Sequence, residues 1–185
     1  MTRIVGGAAK GRRLTVPRRG TRPTAERARE ALFNSLHGLL DIDGARVLDL
    51  FAGTGAVGLE ALSRGAQAVS FVESDRTACE VIKRNIEAVG LPGAQLFRRQ
   101  AATFLVGGGV DVPFDLVFAD PPYAYREVYL SSLLGTLDDG NWLAKDALII
   151  VERSAGGVEP HWPGEVTLVK HRRYGEGLLW YGRRP

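Results

Sequence analysis

Two short stretches of this sequence combine residue types and spacings from which chemistry can be read: Asp49-Leu50-Phe51-Ala52-Gly53-Thr54-Gly55-Ala56-Val57-Gly58 and Asp120-Pro121-Pro122-Tyr123. In the first, Gly53-x-Gly55-x-x-Gly58 follows an apolar strand pattern and opens a helical one. An acidic residue, Glu73, stands 20 positions after Gly53 at the end of the next apolar run. In that context a glycine loop holds an adenosine-type cofactor, and the acid accepts the hydrogens of the ribose hydroxyls. Asp49 selects among such cofactors. A pyrophosphate at a helix N-terminus wants amide donors and no carboxylate nearby, whereas S-adenosylmethionine brings an ammonium and a sulfonium that a carboxylate attracts. Asp49, Phe51, Gly53, Gly55 and Glu73 are therefore the expected cofactor-binding residues. The bland alternatives are glycines that serve only a tight turn and an aspartate that ties down loop amides.

The second stretch ends a buried strand pattern over residues 115–119. Two prolines fix the backbone and remove two N–H donors, so the corner presents acceptors, namely the Asp120 carboxylate and a carbonyl such as that of Pro121. Such a site suits a donor substrate, an exocyclic amino group, with Tyr123 as a flat face for a nucleobase. The chemistry implied is displacement at a sulfonium methyl by the amine nitrogen. Asp120 would favour a pyramidal nitrogen and receive its proton, directly or through water. Asp120, Pro121, Pro122 and Tyr123 are the candidate catalytic residues; a rigid strand-end turn with a surface aromatic is the alternative.

The elements that must position these groups follow from periodicity. Short apolar runs at 47–50, 68–73, 95–98, 116–119 and 147–152 alternate with helical patterns at 55–64, 75–89, 102–106 and 126–137. That alternation predicts βαβ units and a parallel sheet with helices on both faces. Runs at 165–170 and 178–181 are joined by a loop too short for a crossover helix, so they must pair antiparallel. Upstream, residues 4–5 and 14–16 read as a small hairpin, 18–23 as a basic loop, and 24–40 as a helix capped by Thr24. The expected organisation is a basic hairpin or arm over 1–23 and one α/β domain over 24–185.

At 185 residues, 45% hydrophobic and 24% charged, the chain has ordinary globular composition,. One cysteine, Cys79, excludes an intrachain disulfide framework, and no apolar run approaches the ~20 residues needed to span a bilayer,. No apolar segment follows the basic residues near Met1, so a cytoplasmic protein is expected. The net charge of +3 is unevenly spread: residues 1–30 hold nine Lys and Arg against Glu26 and Glu30, leaving the remainder net acidic. Such an arm fits a polyanion, each neutralised phosphate releasing counterions, and Arg3, Lys10, Arg12, Arg13, Arg18, Arg19 and Arg22 are the candidate RNA-binding residues. On charge alone a solvated tail fits as well. A second basic cluster closes the chain: Lys170, Arg172, Arg173, Arg183 and Arg184. His37, His161 and His171 show no metal-ligand spacing, so no metal is expected. Cys79 and Trp142, Trp162 and Trp180 read as packing residues.

With these residues assembled, the sequence resembles the class I S-adenosylmethionine-dependent methyltransferases, and more narrowly the small-subunit ribosomal RNA guanine-N2 methyltransferases of the RsmD type. The glycine loop is shared by the whole superfamily, and the Asp-Pro-Pro-Tyr corner by methyltransferases of amino groups in DNA, RNA and protein. Arg3-Ile4-Val5-Gly6-Gly7, Thr21-Arg22-Pro23-Thr24 and Arg29-Glu30-Ala31-Leu32-Phe33-Asn34 narrow the likeness. The resemblance implies a Rossmann-like sandwich with a seven-stranded, mostly parallel sheet, an antiparallel C-terminal strand and an N-terminal hairpin. It implies S-adenosylmethionine as cofactor and, as partner and substrate, a guanine of 16S ribosomal RNA in an assembled or partly assembled small subunit; a monomer is expected. It would place Thr24 and Asn34 near the methionine end of the cofactor; a capping threonine and a helix-end polar residue are as good a reading of the two alone. Where many superfamily members carry an acid for the adenine amino group, this chain has Arg99-Gln100-Ala101, so Gln100 or the backbone at Ala101 would take that role. A DNA or protein amino-group methyltransferase and a non-catalytic ribosome-assembly module remain the competing functions; Asp49 speaks against a nicotinamide-dependent oxidoreductase.

Overall fold

The computed structural model describes residues 2–16, 26–108 and 111–185. It opens with a two-stranded antiparallel hairpin, β1 (Thr2–Arg3) and β2 (Arg13–Leu14), followed by helix α1 (Glu26–Leu36). The α/β unit then runs β3 (Arg46–Leu50), α2 (Ala56–Ser63), β4 (Ala68–Glu73), α3 (Arg76–Val89), β5 (Ala94–Arg98), α4 (Ala101–Val106), β6 (Phe114–Ala119), α5 (Glu127–Asp139) and β7 (Leu143–Ser154). Strands β8 (Thr167–Tyr174) and β9 (Gly177–Arg183) complete a seven-stranded sheet in the order β5-β4-β3-β6-β7-β9-β8. Strands β3 to β7 are mutually parallel; β9 is inserted antiparallel between β7 and β8. This is the Rossmann-like sandwich expected, with the C-terminal pair antiparallel.

Alternation along each strand sends successive side chains into two separate cores. Val47, Val69, Phe71, Leu116 and Phe118 face one side, against α2 and the N-terminal hairpin, together with Ile4, Leu14, Leu32 and Ile82. Leu48, Leu50, Val72, Val117 and Ala119 face the other, with Leu105, Leu130, Leu134 and Trp142. Gly58 permits the close approach of α2 to the sheet, since a Cβ there would lie 2.4 Å from Phe71 Cε1 and 2.7 Å from Val69 Cγ1.

Several boundaries differ from the periodicity; strand β8 runs Thr167–Tyr174 against the expected 165–170, because its ladder with β9 continues through the polar residues His171 to Arg173. Helix α1 stops at Leu36 instead of 40 because Gly38 adopts φ +78°, with Leu39 and Leu40 N–H both bonded to the Leu36 carbonyl,. Residues 4–5 lie just beyond the hairpin ladder, where Ile4 exchanges bonds with Arg12 and Gly11 and Ile4 itself enters the core. Strand β7 begins at Leu143, four residues early, because an irregularity around Asp146 (φ +61°) lets the strand continue through polar residues,. The start of the expected 24–40 helix and the 18–23 loop lie outside the described residues. Cys79, Trp142 and Trp180 are buried, as packing residues should be, whereas Trp162 is only half-buried.

Residues 2–16 are fastened to the helices by buried polar groups. The Glu60 carboxylate on α2, fully buried, accepts the N–H groups of Val5 and Gly6 (2.8 Å each) and the Arg64 Nε (2.9 Å). Arg29 on α1, also fully buried, lies 4.0 Å from it and donates to Thr2 Oγ1 and the Arg3 carbonyl. Burial drags the Arg29 guanidinium below its ordinary pKa, and Glu60 and Glu26 oppose that shift. Asn85 on α3 closes the clasp, accepting from Thr15 N–H and donating to the carbonyls of Thr15 and Thr54. Removing one partner of a buried charge pair costs far more than the pair contributes, because the other charge stays buried. Glu60→Ala is accordingly expected to lower the unfolding free energy by about 3–5 kcal/mol, measured by urea titration followed by circular dichroism. A loss below about 1 kcal/mol, the worth of an exposed pair, would show that the clasp carries no such load.

Candidate active site

The chain reverses its direction across the sheet between β3 and β6: β4 and β5 are laid down on one side of β3, and β6 returns to the other. Crevices beyond the carboxyl ends of strands at such a switch point are where open α/β sheets bind ligands. Both chemistry-bearing stretches emerge there. Leu50 pairs with Ala119 in the last register of β3 and β6, and the next residues are Phe51 and Asp120.

Register and alternation bring three carboxylates to this edge on one face. Asp49 shares the face of Val47, Glu73 that of Phe71, and Asp120 continues the face of Phe118, all toward the α2 side,. Asp49 is 1% exposed, and its Oδ2 accepts the Gly58 N–H at 3.0 Å within the first turn of α2. Its pKa is pushed well above the usual aspartate range, first by burial and then by the charges of Asp120 and Glu73, against the lowering effect of the Gly58 bond. Asp120 and Glu73 thus both act on Asp49 from the adjoining strand tips.

Glu73 orders the loop around it. One oxygen accepts Gly53 N–H (2.9 Å), the other the N–H groups of Ser74 and Asp75 (2.7 and 2.8 Å). The loop backbone turns sharply, with Phe51 at φ +60°, Gly53 at +57° and Gly55 at +73°, and Gly55 N–H closes onto the Ala52 carbonyl. A positive φ is uncommon for a phenylalanine and is a local cost at this strand-to-helix turn,. Arg99 N–H bonds the Glu73 carbonyl, which sets the following Gln100 and Ala101 beside Glu73; Gln100 is the exposed residue before α4, and Ala101 begins that helix, buried.

At the corner, Asp120 N–H reaches the Leu50 carbonyl at 3.5 Å, and the Pro122 carbonyl accepts Tyr125 N–H at 2.7 Å, closing a turn. Pro121 is buried, Asp120 is half-buried, and Tyr123 is 55% exposed. Tyr125, which sequence reasoning passed over, packs edge-on against Phe51 (centroids 5.2 Å, 70°) and so couples the corner to the glycine loop. Asn85 was passed over too; its signal was a polar residue three positions after Ile82 on the apolar face of α3.

Other expected residues are more scattered. Asn34 is exposed on α1, a helix tied to the β8–β9 pair by Lys170 to the Ser35 carbonyl, by Ser35 to Tyr181, and by Tyr174 to the Ala31 carbonyl. Thr24, Arg18, Arg19 and Arg22 lie outside the described residues. Arg3, Lys10, Arg12 and Arg13 are exposed on the hairpin, though Arg3 pairs with Glu26 (3.2 Å) and Arg12 donates to the Ala88 carbonyl of α3. In the C-terminal cluster, Arg183 donates to the Leu39 carbonyl and Arg184 to Asp138 and the Leu143 carbonyl, leaving Arg172 and Arg173 as its exposed members. Among the described residues there is no cluster of three or more His, Cys, Asp or Glu suited to a metal ion, and no helix is long and apolar enough to cross a membrane.

Known proteins resemble this chain in sequence and fold. Residues 2–183 match the family model described as Conserved hypothetical protein 95. The ribosomal RNA small subunit methyltransferase D of Escherichia coli (strain K12) is 39% identical over 180 residues, covering 97% of this chain and 87% of that protein. YlbH of Bacillus subtilis (strain 168) is 35% identical over 186 residues, covering 98% and 99%. The solved structure of yhhF from Escherichia coli superposes with a TM-score of 0.85 at 38% identity, covering 98% of this chain and 97% of that one. The glycine loop, the acidic strand tips and the Asp-Pro-Pro-Tyr corner thus stand in a chain that belongs to the Conserved hypothetical protein 95 family, the RsmD-type methyltransferases.

Proposed function

We propose that this protein transfers a methyl group from S-adenosylmethionine to an amino group of ribosomal RNA, the exocyclic N2 of a guanine in the 16S RNA of the small subunit. The observation that carries the reading is the convergence of Asp49, Glu73 and Asp120 at adjacent strand tips, with Asp49 buried and its ionised form disfavoured. Three carboxylates around a glycine loop fit a ligand bearing a sulfonium and an ammonium and repel a pyrophosphate. The 39% identity to a ribosomal RNA small subunit methyltransferase supports the choice of acceptor.

In this reading Glu73 holds the ribose hydroxyls, Gln100 and Ala101 face the adenine, and Phe51, Gly53 and Gly55 shape the loop. Asp49 balances the positive charge, with Thr24 and Asn34 closing the methionine side. S-adenosylmethionine, when bound, supplies a methyl carbon made electrophilic by its sulfonium. Since Pro122 uses its carbonyl to close the turn, Asp120 and the Pro121 carbonyl are the pair that accept the amine hydrogens. Held by two acceptors, the nitrogen turns its lone pair out of conjugation with the ring, and Asp120 takes the proton that leaves. Tyr123 stacks on the base, and most of the acceleration comes from holding nitrogen and methyl in line. Arg3, Lys10, Arg12, Arg13, Arg18, Arg19 and Arg22 would contact phosphates. The enzyme would act as a cytoplasmic monomer on the assembled or assembling small subunit.

Labelled S-adenosylmethionine offered with small ribosomal subunits, naked 16S RNA, DNA and protein should label ribosomal RNA, with label in guanine N2 on nucleoside analysis. Label confined to DNA or to protein would overturn the proposal. Asp120→Asn should reduce methyl transfer by about 10²–10⁴-fold, read by single-turnover kinetics, while cofactor affinity changes by no more than a few-fold. The raised pKa of Asp49 has a defined sign: the folded chain retains that proton above the ordinary aspartate value of about 3.9, so its ionisation disfavours the free protein as pH rises,. A cationic ligand reverses the preference, so binding releases a proton, and S-adenosylmethionine affinity should increase as pH climbs through the raised value. Calorimetry in buffers of different ionisation enthalpy should detect the released proton, and Asp49→Asn should abolish the release and weaken binding by roughly tenfold or more.

A further inference from the structure

Three of the eight large hydrophobic side chains exposed among the described residues lie within seven positions of one another at the Asp-Pro-Pro-Tyr corner: Tyr123 (55%), Val128 (58%) and Tyr129 (53%). The core does not need them, because α5 packs through Leu130, Leu133, Leu134 and Leu137. Tyr129 is not an isolated surface aromatic. Its ring meets Tyr125 edge-on at 6.1 Å and 64°, and Tyr125 meets Phe51 of the glycine loop at 5.2 Å and 70°, so a series of three rings leads from the loop to the surface. The Arg126 guanidinium lies over the Tyr129 ring, 5.6 Å from its centroid. The neighbouring acid, Glu127, is committed elsewhere, to Arg153 at 2.6 Å. An exposed ring carrying an arginine, beside the Asp120 corner, has the composition of a single-strand stacking platform, where the aromatic face takes a base and the cation takes the adjoining phosphate.

We infer that Tyr129 and Arg126 form a stacking platform for an unpaired RNA base next to the one that enters the Asp120 corner. The inference rests on the RNA reading above and adds to it a second base subsite. A target nucleotide turned out of a stack leaves its neighbour with a bare face, and covering that face recovers part of the unstacking cost. Tyr123 would then touch the reacting base and Tyr129 its neighbour, so the platform acts on RNA affinity and not on the methyl transfer step. Stacking tolerates any base, so the contribution is to affinity more than to sequence choice.

The test uses the full chain and two readouts: anisotropy of a fluorescein-labelled single-stranded RNA of mixed sequence, and steady-state methyl transfer to small ribosomal subunits. Tyr129→Ala should weaken RNA binding and raise KM for subunits by between about 5- and 150-fold, with kcat and S-adenosylmethionine affinity kept. Tyr129→Phe should behave as the parent protein. Arg126→Ala should weaken binding and reduce the slope of log affinity against log salt by about 0.7, the value for one single-strand phosphate. The position is exposed, so a melting temperature matching the parent confirms that folding is intact. RNA affinity unchanged in Tyr129→Ala overturns the platform. So does a KM effect confined to assembled subunits with naked RNA unaffected, which would assign the patch to a ribosomal protein. If the parent methylates no RNA, the proposed function falls instead, and the anisotropy comparison still decides the platform; a parent chain that binds no RNA overturns the platform as well.

Discussion

A carboxylate buried at the tip of a central parallel strand, close to two others, is an arrangement that a free protein tolerates poorly. Asp49 is 1% exposed, its ionised form is opposed by burial and by Asp120 and Glu73, and one backbone N–H from Gly58 is the bond that offsets the cost. Such a cluster is relieved either by keeping a proton, the direction in which the Asp49 pKa is pushed, or by a ligand of opposite charge,. The surrounding structure is arranged to keep the three groups together: the β3–β4 and β3–β6 registers align the tips, and Gly58 brings the first turn of α2 close enough to bond Asp49. Glu73 spends three acceptor sites on the loop amides, which holds Gly53 and the start of α3 in place.

The same economy of charge recurs at the N-terminus, with a different outcome. Glu60 and Arg29 are both fully buried, but each is surrounded by opposite charge or by backbone groups, so the pair fastens the hairpin without creating demand for a ligand,. Through Asn85 that fastening extends to Thr54 in the glycine loop. The basic segment is thus mechanically continuous with the site, and its exposed Arg12 and Arg13 are carried on a scaffold packed into the main core through Ile4, Ala9 and Leu14.

Much of this was legible before any coordinates. Apolar runs alternating with helical patterns gave the parallel sheet, and the short link between the last two runs gave the antiparallel pair. Gly53, Gly55 and Gly58 marked the loop because only a few residue types tolerate those turns and contacts. Boundaries were less legible: α1 lost its last residues to Gly38, and β7 gained four through an irregularity that polarity had hidden. The roles of Tyr125 and Asn85 were not visible, since each acts through a partner distant in the chain, Phe51 in one case and Thr15 and Thr54 in the other.

Local patterns and composition are short-range properties, so the sequence by itself determined the order and type of the strands and helices, where the backbone must turn, and which carboxylates, glycines and prolines stand at those turns. Tertiary structure alone decided that Asp49, Glu73 and Asp120 share one face of one edge, that Glu60 meets Val5 and Gly6, and that the rings of Phe51, Tyr125 and Tyr129 form a series. Most of these contacts join segments tens of residues apart, and for the strand tips a register shift of one residue would turn each side chain to the opposite face.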